Sequence, residues 1–357
     1  MNEIRELVEA LGPVGPAAGG SPPPSPVLVT LVRVAGSAYS GPGTRMLVLP
    51  GGRIAGAFGA GCFEQDLVGH AERVRKAGAP AVVTYDLTRD DDKPWGLGMG
   101  CRGKLDLILE PLEPGVVPEL LAFLADAAKV RKAAAVATVI ATGGDPAVAL
   151  GSRLLLRADG VQGGDLGNGA LRTAAKAAAR EALSKRRSGF LAQAVAGGQA
   201  ELLVEYVPPP IRLVACGAGR DTAPLERLAA ELGWDVHLLG KEEMPAALDA
   251  RTAAVIMTHN LARDTALLAS LLPSPCRYVG LLGSHERAGE ILAELKRRGQ
   301  EPTKAQLARL HSPVGLDLGA EAPGEVALAI VAEVQAVLSG RHGGSLKKRK
   351  GKIHDRP

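Results

Sequence analysis

Aromatic side chains are scarce in this chain: four Phe, four Tyr and two Trp make up 3% of 357 residues. Its cores cannot be built on large rings. Alanine and 45 glycines take their place, which points to close backbone approaches and small-residue packing. Cysteine is scarce too. Cys62, Cys101, Cys216 and Cys276 form no CxxC pair, which argues against a structural zinc site and against a disulfide framework. No apolar run reaches the ~18 residues of a membrane helix, and Met1-Asn2-Glu3 opens no cationic leader followed by an apolar stretch. The expectation is a soluble, cytoplasmic protein without a membrane role.

Strong charge is also missing. The net charge is +4, yet residues 341–357 hold seven Lys or Arg against one Asp, so the rest of the chain is slightly acidic. Those residues read as a basic, disordered tail. No aromatic residue and no second basic patch accompanies them, so nucleic acid is not the expected partner.

What the sequence does have is a glycine-rich loop ending in a thiol, Gly56-Ala57-Phe58-Gly59-Ala60-Gly61-Cys62-Phe63-Glu64. It follows a hairpin-like stretch, Arg45 to Ala57, turned at Pro50-Gly51-Gly52. From Phe63 the apolar residues Leu67, Val68, Ala71 and Val74 recur at helical spacing up to Gly78. The spacing predicts Cys62 at a helix N-terminus. Free amides and the helix dipole favour an anion there, and the same field lowers a thiol pKa toward the soft thiolate ligand. The bland alternative is a small buried cysteine behind a tight turn. Gly96-Leu97-Gly98-Met99-Gly100-Cys101 repeats the arrangement directly before the predicted strand 104–109. The two loops suggest one site. Asp90-Asp91-Asp92 reads as an exposed acidic turn and is assigned no role.

An internal repeat explains the layout. At an offset of 108 residues Thr30, Gly36, Gly43, Arg45, Gly52, Gly56, Gly59 and Gly61 meet Thr138, Gly144, Gly151, Arg153, Gly160, Gly164, Gly167 and Gly169. The trailing strands, Leu105 to Glu110 and Ala200 to Glu205, correspond at a shorter offset. The position matching Cys62 is Ala170, and nothing matches Cys101. Thiols present in one copy alone favour function there, with the second copy as support.

Pro208-Pro209-Pro210 marks a boundary. Beyond it strands near 212–216, 236–239, 253–257 and 278–282 alternate with helices near 222–232, 263–272, 285–298 and 323–338, the pattern of a parallel sheet with ligand at the strand carboxyl ends. Gly217 and Gly219 suit a phosphate, but Thr222 stands in place of the third small residue and Gly240 in place of a ribose-binding acid. Thr258, His259, Gly283 and Ser284 are the polar or glycine residues at other strand ends. His259 is read three ways: orienting a ligand, acting as a general base, or capping a helix. Cys216 is assigned to the core, and Cys276 is given no function.

The expected fold class is α/β: an N-terminal α+β domain containing an internal duplication, then a Rossmann-like doubly wound parallel-sheet domain. The expected bounds are 1–208, with copies at 27–114 and 135–208, then 211–340, then the tail.

Several segments resemble the XdhC/CoxI family. They are Gly56 to Glu64, Tyr85 through Trp95-Gly96-Leu97-Gly98-Met99-Gly100-Cys101 to Leu112, Met257-Thr258-His259, Tyr278 to Ser284, and Gly315 to Ala320. These proteins are accessory factors of molybdenum hydroxylases such as xanthine dehydrogenase and carbon monoxide dehydrogenase. The resemblance implies a carrier or maturation factor for the molybdenum cofactor, as molybdopterin or its dinucleotide form, more a cofactor chaperone than a stand-alone catalyst. Such a factor protects its cargo during sulfuration and delivers it to an apo-hydroxylase, with a cysteine desulfurase as a further implied partner. Independently of the resemblance, the loop chemistry suggests Gly59, Gly61, Cys62, Glu64, Gly98, Cys101 and Arg102 as cofactor contacts, with Cys62 as the primary contact of the metal and Cys101 as the second thiol. This chain departs from the family pattern at Ala60, Arg102, Gly240 and Asn260. Two other readings stay open: an NAD(P)-dependent oxidoreductase using Gly217, Gly219 and His259, and a dithiol redox protein. A twofold homodimer is the general expectation for an oligomer.

Overall fold

The computed structural model describes residues 2–12, 24–36, 38–58, 64–86, 103–144, 148–167, 169–217, 219–240 and 243–350. The chain divides into two compact units, the first running from Asn2 to Pro209 and the second starting at Pro210.

The first unit is one motif built twice. Copy one comprises α1 (Asn2–Ala10), β1 (Val27–Gly36), β2 (Arg45–Val48), β3 (Ile54–Ala55), α2 (Glu64–Ala77), β4 (Ala81–Asp86) and β5 (Gly103–Pro111). Copy two comprises α3 (Glu119–Lys129), β6 (Ala134–Gly144), β7 (Arg153–Arg157), β8 (Gln162–Gly163), α4 (Ala170–Lys185), β9 (Gly189–Val195) and β10 (Gly198–Val207). Each copy folds into a five-stranded antiparallel sheet, β3-β2-β1-β5-β4 and β8-β7-β6-β10-β9. Both sheets carry the same irregularity, a register shift that leaves Val32 opposite no residue of β5 and Ile140 opposite none of β10.

An antiparallel strand usually alternates apolar and polar residues, yet β1 is apolar almost throughout because both of its faces are covered. Val27, Val29 and Leu31 pack under Leu67, Ala71 and Val74 of α2. Leu28 joins a second core with Leu7 of α1, Leu11 just beyond it, Leu120, Leu121 and Leu124 of α3, and Val136 and Leu155 of the other sheet. The bulged Val32 and Ile140 meet in a third cluster with Ile108 and Leu203. Alanines on α4, Ala175, Ala179 and Ala182, let that helix sit close on its sheet without large rings.

The leading helices belong to the duplication, which the sequence repeat starting at residues 27 and 135 left out. Glu6 of α1 accepts the Gly56 amide at 3.1 Å, and Glu119 of α3 accepts the Gly164 amide at 2.9 Å. The identities that bind the copies also cross between them. Arg45 of copy one pairs with Glu205 of copy two at 2.6 Å, and both side chains are buried. Arg153 of copy two forks onto Glu110 of copy one, with Nη1 to Oε1 at 2.8 Å. Burial alone would lower the Arg153 pKa, but Glu110 and then Glu205 hold it above its ordinary value. Gly43 and Gly151 make the room: a Cβ would lie 2.2 Å from Glu205 at the first and 2.7 Å from Glu110 at the second.

The second unit contains β11 (Arg212–Cys216), α5 (Thr222–Glu231), β12 (Asp235–Leu239), β13 (Thr252–Ile256), α6 (Leu261–Leu271), β14 (Tyr278–Leu281), α7 (His285–Arg297), α8 (Lys304–Leu307), β15 (Leu310–His311) and α9 (Pro323–Leu338). Its sheet is parallel throughout in the order β12-β11-β13-β14-β15. Residues of α5 and α9 pack on one face, and residues of α6 and α7 on the other. The first connection leads to one side of β11 and the next to the other side, so a crevice opens beyond the carboxyl ends of β11 and β13. Cys216 and Cys276 are buried core residues.

Candidate functional site

Gly59, Gly61, Cys62, Gly98, Cys101 and Arg102 lie outside the described residues, and Glu64 is described only as the backbone start of α2. The structure describes what frames them. Phe58 is buried in the copy-one core, and its carbonyl accepts the Ser40 hydroxyl at 2.9 Å, which anchors the chain at the entrance to the first loop.

On the other side of that loop, α2 carries Asp66 and His70, and β4 carries Tyr85 one residue before its end. The Tyr85 hydroxyl donates to Asp66 Oδ2 at 2.7 Å, and His70 Nε2 stands 3.3 Å from the same oxygen. The His70 and Tyr85 rings meet edge to face with centroids 6.2 Å apart. Burial, then the hydrogen bond to Asp66, raises the Tyr85 pKa far above its ordinary value, so it stays a donor. Burial and the Arg73 charge pull His70 below 6.5 despite Asp66, which keeps the imidazole neutral at pH 7.

Copy two has none of this. At the offset of 108 residues that aligns α2 with α4, Asp66 and His70 become Ala174 and Ala178. Strand pairing aligns Ala81 with Gly189, through the equivalent Leu109 and Val204, so Tyr85 becomes Gln193. The polar group is therefore confined to the copy that carries the thiols. Sequence reading missed these three residues, although the same offset that singled out Cys62 would have found them.

In the second unit the expected residues converge on one sheet edge: Gly217 and Gly219 after β11, Thr258 and His259 after β13, and Gly283 and Ser284 after β14. Gly217 has φ +155°, and a Cβ there would stand 2.6 Å from the Met257 carbonyl, so only glycine fits. Ser284 caps α7 by accepting the Arg287 amide. Thr258 donates to Asp264, a fully buried carboxylate that also accepts Arg287 Nε at 3.2 Å and Nη2 at 2.6 Å. The capping reading of His259 is corrected. Asn260 caps α6 instead, and His259, with φ +56°, places Nε2 3.1 Å from Asp221 Oδ2. That aspartate occupies the position before α5 where a phosphate would sit. At the end of β12, Glu243 accepts the Gly240 amide at 2.9 Å.

The described residues contain no cluster of three His, Cys, Asp or Glu able to hold a metal ion. No described helix is long and apolar enough to cross a membrane.

A duplicated antiparallel α+β unit, polar and thiol-bearing in one copy only, followed by a parallel sheet with a glycine-lined switch point, defines a two-part protein with a Rossmann-type second unit. The chain belongs to the XdhC and CoxI family: that family's model matches residues 25–86 and 127–194, and the model of the XdhC Rossmann domain matches 213–334. A Bacillus subtilis protein described as a probable xanthine dehydrogenase subunit is 28% identical over 335 residues, 86% of this chain and 92% of the relative. The molybdenum cofactor insertion chaperone PaoD of Escherichia coli is 25% identical over 315 residues, 87% of this chain and 83% of PaoD. A crystal structure described as a xanthine dehydrogenase from Bacillus halodurans has a TM-score of 0.70 at 25% identity, covering 96% of this chain and 97% of that one.

Proposed function

We infer that this chain binds the molybdenum cofactor as cargo and delivers it to an apo-molybdenum hydroxylase. The observation that carries the reading is the asymmetry of the duplication: Cys62 faces Ala170 in the repeat, and the Asp66–His70–Tyr85 group faces Ala174, Ala178 and Gln193. Two copies of one scaffold, only one of them equipped, separate what the fold needs from what a ligand needs. Of the two relatives, one is a cofactor insertion chaperone and the other is described as a probable xanthine dehydrogenase subunit, which supports the same class of cargo and partner.

In this reading Cys62 is the primary contact of the metal and Cys101 the second thiol, since soft thiolates suit a molybdenum centre already bound by dithiolene sulfur. The amides around Gly59, Gly61 and Gly98 and the Arg102 cation meet the phosphate of the pterin. The protein serves as a holder during sulfuration by a cysteine desulfurase. It is a carrier, not the catalyst of the hydroxylation. The nicotinamide reading draws no support from the second unit, where Asp221 takes the phosphate position and Glu243 is turned onto Gly240.

Delivery is the test. Protein purified after expression with molybdate and then mixed with apo-xanthine dehydrogenase is expected to raise hydroxylase activity in proportion to the protein added. Activation no greater than that given by protein expressed without molybdate would argue against a carrier.

A further inference from the structure

Where the two copies meet, the repeat preserves a hydroxyl and little else. Residues 28–32 of β1 read Leu-Val-Thr-Leu-Val and their equivalents 136–140 of β6 read Val-Ala-Thr-Val-Ile, so Thr30 and Thr138 are the one identity in the run. Each sits between residues that pack across the copies, Leu28 and Val136 on one side and Val32 and Ile140 on the other. Both threonines are 1% exposed. Valine has nearly the same shape and no polar atom to satisfy, so apolar packing alone does not ask for a hydroxyl there.

The strand register places Thr30 directly opposite Arg45 on β2 and Thr138 opposite Arg153 on β7, so each pair shares one face of its sheet. These are the arginines that reach across to Glu205 and Glu110. Their Nη atoms are engaged, Arg45 with Gly43 and Glu205 and Arg153 with Glu110. Their Nε atoms are not. Among the described residues, five buried side-chain N or O atoms lack a hydrogen-bond partner, and four of them are Thr30 Oγ1, Arg45 Nε, Thr138 Oγ1 and Arg153 Nε. Orphans that recur at equivalent positions of both copies belong to the design of the interface. An Nε–H only donates, whereas a hydroxyl donates and accepts. An added anion would crowd the two carboxylates, and an added cation would face two guanidinium groups. The group that fits is therefore small, neutral and able to accept from the one and bond the other.

We propose that the interface between the copies binds a pseudo-symmetric pair of structural water molecules, one held by Thr30 Oγ1 and Arg45 Nε and the other by Thr138 Oγ1 and Arg153 Nε. Buried waters take about 2–4 polar partners each, and these atoms supply two. Each water extends a cross-copy ion pair back into its own sheet: Glu205, Arg45, water and Thr30 form one chain of bonds, and Glu110, Arg153, water and Thr138 form the other. Thr30 and Thr138 are positioning residues in this arrangement. Through the water they fix the guanidinium plane at the angle from which it meets the carboxylate of the other copy.

Thr30→Val and Thr138→Val, each made in the full chain, decide the matter by the sign of their effect. With a bridging water in place, valine leaves that water and the Nε–H short of a partner, and amide hydrogen-exchange protection in β1 and β6 is expected to fall about three- to tenfold. With no water there, valine removes a buried orphan, and protection would hold or rise. Protection held or raised in either variant overturns the proposal. A high-resolution crystal structure of the wild-type chain reads the sites directly. One ordered solvent peak within hydrogen-bond reach of both Thr30 Oγ1 and Arg45 Nε, and a second between Thr138 Oγ1 and Arg153 Nε, are the expected result. Threonine hydroxyls bonded to protein oxygens with no solvent peak beside the arginines would overturn the sites, and a peak in one copy alone would overturn the pair.

Discussion

Glu205→Ala is expected to destabilise the amino-terminal unit by about 3–5 kcal/mol, the usual cost of leaving a buried charge without its partner. Arg45 is only 4% exposed, and its guanidinium is held by Glu205 and by the Gly43 carbonyl at 2.7 Å. With the carboxylate gone, Nη2 loses its acceptor in a site that bulk solvent does not reach. The neighbouring Arg153 loses part of its compensation as well, since the Glu205 charge of the same copy also acts on it. Hydrogen exchange of amides in β1 and β6 reads this unit separately from the second one, and protection there should fall by about two to four orders of magnitude. The pair is not irreplaceable as bulk. Arg45→Met combined with Glu205→Leu should recover most of the loss, because an apolar pair of similar volume carries no desolvation cost. Unchanged protection in Glu205→Ala would mean that the cross-copy pairs contribute nothing.

The second large effect concerns the thiol. Cys62→Ser is expected to cut the molybdenum retained by purified protein to about one tenth or less, because a serine hydroxyl is a hard, protonated oxygen where a soft thiolate is needed. Ala170→Cys, which supplies a thiol at the equivalent start of α4, should not raise retention. That helix has Ala174 and Ala178 where α2 has Asp66 and His70, and the groove between it and β9 holds about 250 Å3 against about 740 Å3 between α2 and β4. Retention unchanged in Cys62→Ser would remove that residue from the site, and retention gained in Ala170→Cys would show that copy two is as competent as copy one.

Much of the fold was legible because the local signals agree. The β-branched run 27–34, the Pro50-Gly51-Gly52 turn, the helical spacing after Phe63 and the strand–helix alternation beyond Pro210 each specify one element. The leading helices were harder to pair. Glu6 and Glu119 correspond at an offset of 113 residues, so a repeat sought at 108 passes over them. Arg45, Arg153, Glu110 and Glu205 were visible as repeated residues, but no linear pattern says that a repeat will pair with the other copy. That requires the two sheets to bring their β1/β5 and β6/β10 faces together, as the meeting of Val32 with Ile140 shows. His259 could be located at a strand end but not aimed, since its turn toward Asp221 depends on a left-handed backbone that no nearby glycine announces. Asp66 and His70 were hidden differently. On a helix of low mean hydropathy they read as a solvated face until Tyr85 arrives from β4.

The central claim, that the equipped copy holds a pterin-bound molybdenum centre, is tested most directly by metal and pterin analysis of the protein purified after expression with molybdate. Molybdenum and pterin eluting with the chain in equal amounts is the expected result. Protein free of both, from cells in which a co-expressed hydroxylase has been loaded, would contradict it.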